Sequence, residues 1–266
     1  MNQNPLFSIV TVCYNSEKTI SRTIESILAQ TFTDYEYIIV DGMSKDKTLD
    51  IINQYEPLFK GRMKIKSEPD KGIYNAFNKG IQRAIGKYIW IVNSDDFIEP
   101  NALIQISLLI KKFPKYHLPI ISASMNFINL NGEISNKYIS NEEFCKSAYE
   151  TFNMGLIHPA TLVPKKIYES IGLFDENFSI MADIDWFRRA YDKQIPILFS
   201  DNIITNMCYG GISTTAKFNK FYNDRKLLYH KHVKNYVLRK MLLAKWIITH
   251  LYILTISYLH LSLIHI

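Results

Sequence analysis

Two clusters of carboxylates carry the chemistry legible in this chain. Asn93-Ser94-Asp95-Asp96 closes an apolar run, Tyr88–Asn93 (YIWIVN), and sets adjacent acids where a buried strand should end. Paired carboxylates in poorly solvated surroundings are costly unless a cation neutralises them. Hard oxygen ligands suit Mg2+ or Mn2+, ions that keep part of their water and complete the shell with phosphate oxygens. The second cluster, Ala182-Asp183-Ile184-Asp185-Trp186-Phe187-Arg188, opens a helix expected over Asp183–Asp192. A carboxylate at a helix N-terminus is favoured in its ionised form, so Asp183 is ready to take a proton. Asp185 precedes Arg188 by three residues and Arg189 by four, spacings that permit pairing on a helix. It reads as a supporting, partly neutralised acid.

Rival phosphate-binding devices are missing from the sequence. Gly80–Lys87 has one residue too many between its glycines for a Walker loop, and Tyr88 follows where Ser or Thr is needed. No G-x-G-x-x-G follows the first strand, which argues against a nicotinamide cofactor. The remaining reading is a nucleoside diphosphate held through a metal ion.

Alternating elements must position these acids. Phe7–Cys13 (FSIVTVC) and Tyr35–Asp41 (YEYIIVD) are apolar runs of the kind that fill buried parallel strands. Asn15 or Ser16 can cap a helix on which Ile20, Ile24, Ile27 and Leu28 share a face. A helix near Thr48–Tyr55, a thin strand at Met63–Glu68 and a helix built on Ile73, Phe77 and Ile81 lead to the strand at Tyr88. This order predicts an α/β fold with a mainly parallel, doubly wound, Rossmann-like sheet, whose ligands bind beyond the carboxyl ends of the strands. Asp41 and Asp95–Asp96 stand at two such ends. The second half is less regular. Asn131-Gly132 reads as a hairpin turn, and Lys165–Ile171 as a short helix closed by Gly172.

The bulk properties exclude several classes. Of 266 residues, 47% are hydrophobic, enough for one α/β domain with a substantial core. Cys13, Cys145 and Cys208 form neither a disulfide framework nor a zinc motif, as expected in a reducing compartment. The N-terminus lacks the charged segment and apolar run of a secretory signal. The net charge of +6 belongs to the tail: seven Lys and Arg follow Asp224 and no acid does, leaving 24 basic against 25 acidic residues elsewhere. A nucleic-acid partner is therefore not expected. The domain reading is 1–224 for the main unit, divided into a nucleotide-binding half (1–100) and an acceptor half (101–224), with 225–266 as a basic, apolar helical tail. Trp246–Ile266 carries no formal charge over 21 residues. As a helix it would extend about 30 Å, but its histidines, serines and threonines fit a membrane surface better than a span.

The ordered stretches SIVTVCYNSEKTISRTIESILAQTF, YIIVDGMSKDKT, SEPDKGIYNAFNKGIQRAIGKYIWIVNSDD, HPATLVPKKIYESIGLFDENFSIMADIDWFRRA and YGGIST resemble glycosyltransferase family 2, whose members have the GT-A fold. Asn93 departs from the Asp that many members carry, although the Asn variant also occurs. The resemblance implies that Val12, Tyr14 and Asp41 line a base pocket, with the Asp41 carboxylate accepting from a base N–H. Asp70 and Lys71 would lie near the nucleotide, Asp95 near ribose or a metal-bound water, and Asp96 would ligate Mn2+ or Mg2+. Asp183 would be the general base, His158 would stand on the acceptor side, and Gly210-Gly211 would allow close backbone approach over the donor. The implied reaction is inverting sugar transfer from a nucleoside-diphosphate sugar, with uridine favoured, to a saccharide or lipid-linked saccharide. Members with such a tail often build bacterial surface polysaccharides at the inner face of the cell membrane.

Two other readings stay open. A nucleotidyltransferase would need a basic, glycine-rich loop after the first strand, where this chain has CYNSEKT. A catalytically inactive binding protein of the same fold would be expected to have lost one of Asp41, Asp95, Asp96 or Asp183.

Overall fold

The apolar runs of the first hundred residues form four neighbouring parallel strands. The computed structural model describes residues 4–112, 118–211 and 215–264. Within them, β1 (Phe7–Cys13), β2 (Tyr35–Asp41), β3 (Met63–Ser67) and β4 (Tyr88–Ile91) lie in the order β3-β2-β1-β4, all parallel. Helices α1 (Ile20–Leu28), α2 (Thr48–Tyr55) and α3 (Ile73–Arg83) connect them. β1 is buried along its whole length, and α1 buries Ile20, Ile24 and Ile27, the stripe expected from its 3.6-residue period. On α3 the expected Phe77 and Ile81 are buried together with Tyr74, Ala76, Asn78 and Gly80, and Ile73 is partly buried against the same core.

Beyond β4 the sheet becomes mixed. β5 (Phe97–Ile98), α4 (Ala102–Lys111), β6 (Ile120–Ile128), β7 (Ile134–Tyr138), α5 (Glu142–Thr151), β8 (Thr161–Pro164), α6 (Lys165–Ile171), α7 (Ala182–Asp192) and β9 (Ile197–Cys208) follow in the chain. The sheet continues β4-β8-β6-β9-β5, with β8 antiparallel to both β4 and β6, and β6 parallel to β9. The turn at Asn131-Gly132 joins β6 to antiparallel β7, and α6 ends at Gly172. Two hydrophobic clusters, one on each face, hold the sheet between its helices.

The expected helix cap after β1 is not formed. Helix α1 begins at Ile20 without a side-chain cap. Asn15 instead adopts a left-handed conformation, its N–H donating to Ser44 Oγ and its Oδ1 accepting from Lys45 N, both at 2.8 Å. Ser16 N donates to Thr48 Oγ1 at 2.7 Å, and the Ser16 hydroxyl meets that of Ser94 at 2.9 Å. These residues lace the loop after β1 to the loop after β2 and to the end of β4.

Past β9, α8 (Phe218–His232) and α9 (Tyr236–Ile264) form a helical hairpin. The boundary expected after Asp224 falls inside α8, whose Asp224, Arg225, Leu228 and Tyr229 are buried against the main unit. Among the described residues no helix is long and apolar enough to cross a membrane. Ile212–Thr214 of the YGGIST stretch lie outside the described residues.

Candidate active site

Ligand clefts run to about 300–1,000 Å³, and one of about 720 Å³ opens at the carboxyl ends of β1 and β4. Val12, Tyr14, Asp70, Asp95 and Asp96 line it, together with Gly210 and Gly211. Tyr14 presents an exposed ring, and Asp70 turns back so that its Oδ1 accepts from Gly72 N at 2.9 Å. A Cβ at Gly42 beside it would meet Asp70 Oδ2 and push that carboxylate aside. Lys71 sits between two cleft residues, but its exposed side chain does not line the cavity.

Asp41 occupies the end of β2 as expected, yet it is fully buried and outside the cleft lining. Its carboxylate accepts from Ser44 N, from Ser44 Oγ at 2.5 Å and from Ser67 Oγ at 2.6 Å, with the Cys13 thiol at 3.7 Å. A carboxylate offers about four acceptor sites. To meet a base N–H, Asp41 would have to release one of these partners.

Asp96 is 1% exposed, its Oδ1 accepting from Cys208 N at 2.9 Å and its Oδ2 from Asn93 Nδ2 at 3.2 Å. Burial, and then the charge of neighbouring Asp95, push its pKa up to about 8. Burial raises Asp95 as well. Arg22 of α1 holds the backbone here, Nη2 donating to Asp95 O at 2.8 Å. Nothing local marks Arg22 as a site residue, since its partner is 73 residues away. Such a pair suits a divalent cation, and the buried Asn93 Oδ1 has no hydrogen-bond partner. Among the described residues no three His, Cys, Asp or Glu side chains gather around one point. One or two carboxylates still suffice for an ion whose other ligands are water and phosphate oxygens.

Asp183, at the start of α7, lines a second pocket of about 300 Å³ with Tyr74, Phe77 and His158. This pocket adjoins the first through shared walls at Ile73, Asn93 and Met207. The two acid clusters thus line neighbouring pockets that have three wall residues in common. Asp183 Oδ1 accepts from Ile184 N at 2.9 Å and from Tyr74 Oη at 3.3 Å. Burial nevertheless raises its pKa to about 6, so desolvation outweighs the helix terminus that was expected to lower it. His158 stacks on Phe77 with ring centroids 5.4 Å apart, and burial lowers its pKa to about 4, leaving it neutral.

Asp185 behaves oppositely. It is 0% exposed, and burial works against its charge, but His232 at 3.0 Å, Lys231 at 2.8 Å and Arg189 at 2.9 Å hold its pKa down at about 2. Arg188 is not its partner. The Arg188 guanidinium lies 3.6 Å over the Phe152 ring and donates to Tyr149 O on the other side of α7. The difference arises because i,i+4 and not i,i+3 aligns the two side chains here. Asp224 of α8 accepts from Ser179, Ile180 and Met181 N–H at 2.6–3.1 Å, fixing the loop that delivers Asp183.

A parallel half-sheet with acids at its strand ends, closed by a mixed half carrying a second acid, defines a GT-A glycosyltransferase. The chain belongs to glycosyl transferase family 2, whose sequence model matches residues 8–171. It is 26% identical over 223 residues to a PGL/p-HBAD biosynthesis glycosyltransferase of Mycobacterium bovis, covering 82% of each chain. It is similar in fold to S. aureus TarS (residues 1–349) in complex with UDP-GlcNAc, with a TM-score of 0.68 and 20% identity over 91% of this chain and 71% of that one. It spans 42% of a longer TarS chain. The mannosyltransferase PcManGT of Pyrobaculum calidifontis, in complex with GDP-Man and Mn2+, superposes with a TM-score of 0.62 at 14% identity, over 88% of this chain and 66% of that one.

Proposed function

We propose that this glycosyltransferase transfers a sugar from a UDP-sugar to a hydroxyl of a saccharide or lipid-linked saccharide, inverting the anomeric configuration. The observation that carries this reading is that the cleft lined by Asp95 and Asp96 and the pocket lined by Asp183 have Ile73, Asn93 and Met207 in common as wall residues. The nucleotide lies along Val12, Tyr14 and Asp70, with Asp41 holding Ser44 and Ser67 beneath it. Lys71, exposed next to Asp70, offers a positive charge that could meet phosphate at the rim. Asp96, with Asp95 and Asn93 Oδ1, would hold Mn2+ or Mg2+, which when bound offsets charge on the diphosphate leaving group.

Asp183 takes the proton of the acceptor hydroxyl as that oxygen attacks the anomeric carbon. The new C–O bond forms while the bond to the diphosphate breaks, and one displacement inverts the centre. A pKa of about 6 leaves Asp183 mostly ionised at neutral pH yet a stronger base than an ordinary Asp. Asp185, held near 2, stays charged and positions α7. Aromatic faces of Tyr74, Phe77 and Phe127 suit an acceptor sugar ring. The apolar, basic tail supports a peripheral position on the inner membrane face, in keeping with a bacterial surface-polysaccharide or glycolipid pathway.

The test is incubation with an α-linked UDP-sugar and a saccharide acceptor. Release of UDP with a β-linked product supports the reading, and Asp183→Asn should abolish it while UDP binding persists. Release of pyrophosphate would assign the protein to nucleotidyl transfer instead.

A further inference from the structure

The hairpin of α8 and α9 encloses a pocket of about 440 Å³ remote from the sugar-transfer residues in its lining. Lys226, Leu227 and His230 of α8 form one wall, and Tyr236, Arg239 and Lys240 of α9 the other. Arg239 Nη1 meets His230 Nδ1 at 2.5 Å, whereas Arg239 Nε is buried without a hydrogen-bond partner. Among the described residues no carboxylate pairs with Lys226, Arg239 or Lys240, and no acid follows Asp224 in the sequence. Asp224 itself is turned the other way, onto Ser179–Met181. An arginine without a carboxylate partner, flanked by two ammonium groups and an imidazole around a concavity whose exposed wall is mostly apolar, is chemistry for a phosphate that carries an apolar chain.

The surroundings decide which phosphate. Tyr236, Val237, Leu238, Met241 and Ile248 are all strongly exposed on α9, and the chain beyond is uncharged from Trp246 onward. A soluble phosphate makes no use of that apolar surface, whereas an interfacial helix buries it among acyl chains. We propose that this pocket binds the phosphate headgroup of an anionic lipid, seating α9 on the membrane. The proposal rests on the membrane reading above and not on the sugar-transfer reading. The helix that lines the pocket also carries Lys231, paired to Asp185, so the docked lipid and the acceptor half share one rigid support.

The full chain is sedimented with vesicles of phosphatidylcholine alone and of phosphatidylcholine doped with phosphatidic acid. Wild type should bind the doped vesicles selectively. Lys226→Gln/Arg239→Gln/Lys240→Gln should weaken that binding about a hundredfold, at about fivefold per charge. Lys137→Gln/Lys146→Gln/Lys166→Gln, with the same change of net charge, should not. Equal weakening by both triple variants would reduce the site to diffuse charge, and equal binding to undoped vesicles would remove anion recognition; either result overturns the proposal. Release from the vesicles by inorganic phosphate at constant ionic strength would assign the pocket to soluble phosphate and also overturn it. If Arg239→Gln impairs folding, Lys226→Gln/Lys240→Gln at exposed positions carries the test, with a loss of about twenty-fivefold. Sugar transfer to a soluble acceptor should be unchanged in either variant.

Discussion

The phenol of Tyr74 on α3 donates to Asp183 Oδ1 across 3.3 Å, so a residue of the nucleotide-binding half touches the proposed base of the acceptor half. That bond favours the ionised carboxylate and opposes the effect of burial. Wild-type kcat should therefore rise with pH through about 6 and then level off. In Tyr74→Phe the carboxylate loses a donor, its pKa climbs further, and the acidic limb moves to higher pH. A pH–rate profile with an unshifted limb would separate Tyr74 from the base.

Asp183→Asn makes a prediction independent of activity. A carboxylate raised from 3.8 to about 6 on folding contributes stability below pH 3.8, and that contribution is lost as pH rises through about 6. The neutral variant escapes this loss. Melting curves of the two proteins should lie close near pH 4 and separate as pH rises, with the variant more stable at pH 8. Its kcat should fall by about 10²–10⁴.

Asp96→Asn should remove the response to metal. In wild type, saturating UDP with Mn2+ should raise the melting temperature by roughly 5 °C or more, and chelation with EDTA should reverse both that shift and sugar transfer. The variant should show little shift with Mn2+ and UDP together. A full shift in Asp96→Asn would place the ion elsewhere.

Gly42→Ala tests the floor of the nucleotide cleft. The new methyl would displace the Asp70 carboxylate, the far end of a flexible side chain, so the fold should survive. Donor affinity should drop by about tenfold, equivalent to about 1.4 kcal/mol, with acceptor KM unchanged. Calorimetric titration of UDP reads this directly.

Truncation distinguishes the two parts of the C-terminal hairpin. A chain ending after Asp224 loses the burial of Leu228, about 1.5–3 kcal/mol, and also the Lys231 and His232 pairs that hold Asp185. It should fail to fold cooperatively. A chain ending after Lys245 keeps those contacts and should bind UDP normally. Circular dichroism melts of both chains check this.

The nucleotide-binding half was legible because its information is local. Apolar runs of strand length and a 3.6-residue stripe name β1, β2, β4, α1 and α3 without reference to distant partners. The acids at Asp95–Asp96 and Asp183 could be read for the same reason, as types at a strand end and a helix start. What the sequence hid was long-range. Asp224 finds its three N–H donors 43–45 residues back, and Lys231 of α8 reaches Asp185 of α7 with the whole of β9 between them in the chain. Asn15 was read as a cap because the residue type fits one, but its partners lie 29 and 30 residues ahead. The net effect of burial on Asp183 was equally hidden, since helix position is visible in sequence and desolvation is not.

The junction of β4 with β8 has a mechanical consequence. Tyr88, Ile89 and Trp90 pair directly with Pro164, Val163 and Leu162, so the half that carries Asp96 and the half that carries Asp183 are stitched into a single pleated surface. Swinging them apart like two lobes would tear that seam. Substrates must therefore come and go by rearrangement of side chains and surface loops over an immobile base, and the spacing between the two reaction partners is set when the protein folds rather than when they arrive.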